Sequence, residues 1–174
     1  MDQVNVIKTR RFVLKPLLPR HASQKYLAWL QDSSSSRYIS AAKKTKRLQD
    51  LQKYIKKYSN RKDCMFLRIL TKKTNHHIGN IKYQPIDLAR KTAVMGMMVG
   101  EPTWRGKGVA KEVLEATAKY LQSVLRIRKI YLGVQKDNLP GIRAYRKVGF
   151  KSVGRWENGA KPQRGQKIMV WNLA

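Results

Sequence analysis

The chain has 174 residues, 42% of them hydrophobic, which suits one domain with a real core and excludes a disordered tail. Its 38 Lys and Arg face 10 Asp and Glu, a net charge of +28; a surface so positive repels polyamines and aminoglycosides and attracts anionic acceptors or RNA. No apolar run reaches the roughly 18 residues of a membrane span, and the single cysteine, Cys64, excludes an internal disulfide.

The first residues, M-D-Q-V-N-V-I-K-T-R-R, lack the apolar centre of a signal peptide, so the expected compartment is the reducing cytoplasm. Arg10 to Leu18 reads as a strand ending near Pro16, followed by a short helix from Ser23, a natural N-cap, to Trp29. Ser33 to Ser36 reads as a loop. Leu48, Leu51, Tyr54, Ile55 and Tyr58 make one helical stripe, with the lysines of this basic block on the solvated face. Met65 to Thr71 and Ile78 to Tyr83 read as strands joined by the turn Lys72 to His77. His76 and His77 have no cysteine or further histidine at metal-ligand spacing, so no metal site is expected, and Cys64 reads as a buried, inert thiol. Asp87 and Arg90 fall in the next turn, before a strand that begins at Thr92.

The stretch from Val94 to Ala110 organises the chain. An apolar strand ends at Gly100-Glu101-Pro102, the turn Arg105-Gly106-Lys107-Gly108 follows, and then a helix opens with Ala110, Val113, Leu114, Thr117, Ala118, Leu121, Val124 and Leu125 on one stripe. The first N–H groups of a helix lack partners and sit at its positive end. Glycine lets a ligand approach the backbone, and Arg105 and Lys107 add charge, so this turn suits a pyrophosphate. Neither the P-loop pattern nor the dinucleotide fingerprint is present. Beyond it lie an alternating strand, Lys129 to Val134, and a helix, Leu139 to Val148, which Asn138 caps and Pro140 opens. Lys151 to Arg155 and Gln166 to Asn172 are the closing strands. The order of elements is α+β, or mixed α/β, in one domain spanning residues 1–174.

R-G-K-G-V-A, with Arg105, Gly108 and Ala110 at its fixed positions, resembles the acetyl-coenzyme A motif of the GNAT acetyltransferases, and the ribosomal-protein acetyltransferase-like branch in particular. Asn138 to Phe150 is similar to a second family segment, departing with Gly141 where alanine is usual. The resemblance implies a twisted, mostly antiparallel sheet flanked by about four helices and splayed where acetyl-coenzyme A enters. The pyrophosphate would lie on Arg105, Gly106, Lys107, Gly108, Val109 and Ala110, and the pantetheine along the backbone near Met98 and Val99, with Asn138 also touching it.

Transfer to an amine needs a group that takes a proton from the nitrogen, donors to the thioester oxygen and an acid for the leaving thiolate. Tyr145 matches the family tyrosine and is the candidate acid; its other reading is a packing residue of the helix. Glu101 is the candidate base, with the alternative of a turn carboxylate paired with Arg105. The expected partners are acetyl-coenzyme A and an amine, on a protein or peptide or on an amino sugar with an anionic carrier. No membrane is expected, nucleic acid would bind only non-specifically, and the chain would be a monomer or homodimer. The competing class is a non-catalytic basic module that binds RNA or senses coenzyme A.

Overall fold

A computed structural model describes residues 6–32, 38–39, 44–158 and 161–173. Strands β1 (Ile7–Lys8), β2 (Phe12–Pro16), β3 (Met65–Thr71), β4 (His77–Asp87), β5 (Thr92–Val99), β6 (Lys129–Gln135), β7 (Lys151–Val153) and β8 (Gln166–Asn172) form one sheet in the order β1-β2-β3-β4-β5-β6-β8-β7. Every neighbouring pair is antiparallel except β5 and β6. Helices α1 (Gln24–Gln31), α2 (Leu48–Ser59), α3 (Val109–Leu125) and α4 (Leu139–Val148) cover the two faces. The Ser33–Ser36 loop lies outside the described residues.

Alternation along the strands decides which helix each face receives. Leu67, Ile69, Ile81, Tyr83, Met95 and Leu132 turn to one side, where they bury Val113, Leu114, Ala118 and Leu121 of α3 and Ile142 of α4. Each such side chain contributes roughly 1.5–3 kcal/mol by leaving water. One polar link crosses this apolar layer. Thr117 donates to the Val113 carbonyl at 2.8 Å, and so accepts the Tyr83 hydroxyl 2.7 Å away. The opposite face, carrying Phe66 and Met98, packs against Tyr26, Leu27, Trp29 and Leu30 of α1 and Leu51 and Ile55 of α2.

The helices follow their expected signals closely. Ser23 caps α1 by accepting the Tyr26 N–H, and Asn138 caps α4 by accepting the Gly141 N–H. The larger differences lie in the strands, where β1 is not among those expected. The two residues of β1 pair with Val13 and Leu14, too short a run to show alternation. β4 begins at His77, which the sequence puts in a turn, and continues through Pro85 to Asp87 by way of a register shift between Tyr83 and Ile86. An isolated proline marks a strand interior as a break, but the shift moves it out of the ladder.

The junction of β5 and β6 positions everything that follows. Only Thr92, Ala93 and Val94 pair with β6, opposite Lys129, Ile130 and Tyr131. Past Val94 the strands part: β5 keeps its ladder with β4 up to Val99, and β6 keeps its ladder with β8 up to Gln135.

Trp29 is wedged against the backbone just beyond β5. A Cβ on Gly100 would lie 2.1 Å from its ring, whereas a Cβ on Gly96 would meet nothing within 4 Å. Gly100→Ala is therefore expected to cost about 1–3 kcal/mol by overpacking, and Gly96→Ala to stay within about 0.5 kcal/mol of the parent. Urea denaturation of the pair checks this; equal midpoints would remove the wedge.

Candidate active site

Where β5 and β6 part, the opening leads into a cavity of about 100 Å³. Its walls are Met95, Gly96 and Met97 from β5, Leu132 to Gln135 from β6, Asn138 and Tyr145 from the α4 segment, and Tyr38 and Ile39. The unpaired edges of two strands thus face each other across a slot, with free backbone polar groups on both sides. A linear amide-bearing chain fits such a slot by replacing the missing ladder.

At the end of β5 the chain turns through a short 3-10 helix, Pro102–Trp104, into the glycine turn. Gly106 and Gly108 have φ of 73° and 74°, the left-handed region where a Cβ is unfavourable. The first backbone bond of α3 runs from the Glu112 N–H to the Gly108 carbonyl at 3.2 Å. The N–H groups of Val109, Ala110 and Lys111 therefore lie above the start of the intrahelical ladder, with the positive end of the helix dipole behind them. Gly106, Lys107 and Gly108 are exposed. Exposed backbone N–H groups and the positive end of the helix thus meet at one turn.

Two charged residues singled out at the start of this segment, Glu101 and Arg105, face elsewhere. Arg105 reaches back along β5: its Nε donates to the Val99 carbonyl at 3.1 Å and one terminal nitrogen to the Gly100 carbonyl at 3.0 Å and the Asp32 carboxylate at 2.9 Å. Its guanidinium holds the end of β5 and the end of α1 together. Glu101 pairs with Lys25 at 2.6 Å, not with Arg105. Asp32 lies 73 residues from Arg105, and no local pattern marks the pair.

Tyr145 sits on α4 with its ring edge-on to Phe150 at 5.8 Å and forms part of the cavity wall. Burial pushes its phenol up to about 12, so it carries its proton at neutral pH and is able to donate it. Asn138 borders the same cavity while capping α4. A Cβ at position 141 would lie 2.8–2.9 Å from the Asn138 amide, so a larger residue there would shift that side chain. Met98 and Val99 pair with Asn80 and Gly79 of β4; Met98 packs toward α1 and α2 and Val99 toward α3.

His77 and Cys64 serve packing rather than chemistry. His77 has its Nε2 2.9 Å from Asn80 Oδ1 and 3.1 Å from the Gly79 carbonyl, and its ring meets Trp29 and Tyr26 edge-on. Burial holds it below the ordinary histidine range, as a neutral donor. Burial pushes the Cys64 thiol up to about 11, which makes it a poor nucleophile. Among the described residues no group of His, Cys, Asp and Glu could hold a metal ion, and no helix is long and apolar enough to cross a membrane.

Known proteins share this fold. Residues 11–151 match the GNAT acetyltransferase domain, and the chain belongs to that family, whose donor is acetyl-coenzyme A. Over 70 residues it is 33% identical to the spermine/spermidine N(1)-acetyltransferase of Bacillus subtilis (strain 168), covering 40% of this chain and 43% of that protein. Over 74 residues it is 40% identical to the N-alpha-acetyltransferase of Saccharolobus solfataricus, covering 42% and 43%. The chain therefore matches less than half the length of either relative. Mycobacterium smegmatis RimJ in complex with CoA-disulfide superposes with a TM-score of 0.79 at 13% identity, over 97% of this chain and 87% of that one, which shows a common fold.

The glycine turn is braced from outside. Glu112, in the first turn of α3, accepts the Arg11 N–H and the Thr9 hydroxyl at 2.7 Å on one oxygen and the Arg11 guanidinium at 2.7 Å on the other. Burial pushes this carboxyl up, but the bonds from Thr9 and Arg11 outweigh it and hold it below the ordinary range. The sign follows from linkage: a depressed carboxyl stabilises the fold above its unfolded pKa, and that stability is lost as pH falls through the folded value. Glu112→Gln should lower the thermal midpoint at pH 7, by an amount worth about 1 kcal/mol for a half-exposed network. The gap from wild type should close below about pH 4; a gap independent of pH would remove the ionic brace.

Proposed function

We propose that this chain is an N-acetyltransferase that moves an acetyl group from acetyl-coenzyme A directly to a primary amine on a protein or peptide. The observation that carries the reading is the slot between β5 and β6, with Tyr145 in its wall and the glycine turn beyond the end of β5. In this reading the amides from Gly106 to Ala110, with Lys107, hold the pyrophosphate, and the free edge of β5 near Met98 and Val99 pairs with the pantetheine. A β5 N–H facing the slot polarises the thioester carbonyl as negative charge develops. Tyr145 gives its proton to the departing thiolate, which spares that sulfur from leaving as an anion in a low-dielectric slot. Arg105 acts by fixing the end of β5 and α1 rather than by touching phosphate. Glu101, tied to Lys25, is read as a carboxylate that anchors the same corner and not as the base.

Charge supports the choice of acceptor. A polyamine is held by free carboxylates, yet Asp32 and Glu101 at the end of β5 are already bonded to Arg105 and Lys25. A polycation would have to displace both pairs against a net charge of +28. A peptide amine, or an amine on an anionic carrier such as a nucleotide-linked amino sugar, meets no such opposition. The family match and the proton-bearing tyrosine favour turnover over a binding module that only senses coenzyme A or RNA.

Two substitutions test the two halves. Gly108→Glu puts a carboxylate where phosphate should bind and is expected to abolish acetyl-coenzyme A binding in calorimetry. Gly108→Ala, with the same backbone strain and no charge, should keep most of it. Tyr145→Phe is expected to lower kcat about 10²-fold while leaving the donor Kd within two-fold. A full-rate Tyr145→Phe enzyme would take the acid role away from this residue.

A further inference from the structure

Lys82 is a half-buried cation with no carboxylate partner among the described residues. Lys82 stands in the middle of β4, on the face that receives α1 and α2, while its neighbours Ile81 and Tyr83 point to the α3 side. Its Nζ donates to the Tyr54 hydroxyl at 3.1 Å and lies 3.4 Å from the centre of the Tyr58 ring, with the Tyr54 and Phe66 rings 5.2 and 5.7 Å away. Among the described residues no ion pair reaches it. A lysine that serves solubility extends into water, and one that serves stability finds an acid; this one is folded into a ring-lined recess instead.

The recess lies beside the slot, although Lys82 is not itself part of the cavity wall. Lys82 is the register partner of Gly96, so their Cα atoms lie about 5 Å apart, with both positions on the same face. Gly96 is exposed, forms part of the cavity wall, and has no atom within 4 Å of where a side chain would begin. A gap in the side-chain cover over β5 thus sits directly beside the lysine. Tyr145 belongs to the layer on the other face, with α3 and α4. The slot is flanked by a phenol from one side of the sheet and an amine from the other. Acyl transfer calls for two such groups, one to take a proton from the attacking nitrogen and one to give a proton to the departing sulfur.

Resting on the acetyl-transfer reading above, we propose that Lys82 is the catalytic base, and that the acceptor amine enters over Gly96 on the α1–α2 face. The neutral amine attacks the thioester carbon and forms the C–N bond. Its nitrogen passes one proton to Lys82 Nζ, which becomes an ammonium. The C–S bond breaks, and the thiolate takes the Tyr145 proton. Lys82 then returns its proton to solvent and Tyr145 regains one, so the net change is amine and thioester to amide and thiol. Burial lowers Lys82 to about 8, opposed by Cys64 and reinforced by Lys57. The groups facing it are Tyr54, Tyr58 and Lys57 of α2 and Cys64 ahead of β3, and none is an acid that would restore the ordinary lysine range.

The test uses the whole chain, acetyl-coenzyme A and a serine-initiated tetrapeptide, with coenzyme A release followed from pH 6 to 10. A base at Lys82 must be neutral, and so must the acceptor. The acid limb of log kcat/KM in the wild type should therefore approach a slope of two, reporting both protons. Lys82→Met, which keeps the apolar stem in the recess, should fall about 10²-fold and show a slope of one, with the acetyl-coenzyme A Kd unchanged. Lys82→Arg keeps a cation that cannot take a proton and should be as slow as Lys82→Met. A Lys82→Met enzyme with wild-type rate and slope would overturn the proposal. The titration of the Lys82 13Cε resonance, identified by its loss in Lys82→Met, is read whether or not the tetrapeptide is accepted. A midpoint near 8 supports the base, and an ordinary midpoint above about 10 rejects it. Failure of the wild type to bind acetyl-coenzyme A would instead remove the acetyl-transfer reading itself, and the base with it.

Discussion

The structure depends on one broken ladder. β5 and β6 are parallel and share only the pairs from Thr92–Lys129 to Val94–Tyr131, after which each remains in its own half of the sheet. Backbone N–H and C=O groups along the parted edges have to find partners, and a buried pair left unsatisfied costs free energy. A sheet tolerates this where a ligand supplies the bonds. The two halves stay rigid because their other ladders run the full length of each strand and because α3 and α4 lie over one face. The opening is therefore held by the fold and does not depend on a mobile loop.

Its surroundings are fastened in the same spirit. Arg105 bonds the Val99 and Gly100 carbonyls and Asp32; Glu101 bonds Lys25; Trp29 fills the space over Gly100. Three contacts from α1 thus meet the end of β5, where the chain leaves for the glycine turn. On the far side of that turn Glu112 draws Thr9 and Arg11 onto the first turn of α3. A turn that presents backbone N–H groups has no side-chain rotamers to adjust. Its precision comes from these flanking ties, and partial exposure of each pair is offset by their number.

The basic character of the chain has a local counterpart. The carboxylates of Asp32 and Glu101 beside the end of β5 are engaged by Arg105 and Lys25, while Lys82 has no acid partner among the described residues. An amine destined for acetylation must reach the carbonyl as the neutral species, and an environment of uncompensated positive charge favours that species over the ammonium. The excess charge and the chemistry of an amine acceptor are compatible for this reason.

The sequence alone determined the helices, their caps and the glycine turn, because a 3.6-residue stripe, Ser23, Asn138, Gly106 and Gly108 act through neighbours a few positions away. It also marked Tyr145 and the cavity-lining Asn138, through motifs that depend on local spacing. It did not reveal β1 or the full length of β4, whose pairing is set by partners across the sheet and, in β4, by a register shift around Pro85. Nor did it show that Arg105 faces away from the glycine turn toward Asp32, that Glu101 belongs to Lys25, or that Lys82 lies among Tyr54, Tyr58 and Phe66. Those are decided by which residues the sheet order and helix packing bring together across tens of positions, and a charged side chain takes whichever partner the tertiary structure leaves within a few ångströms.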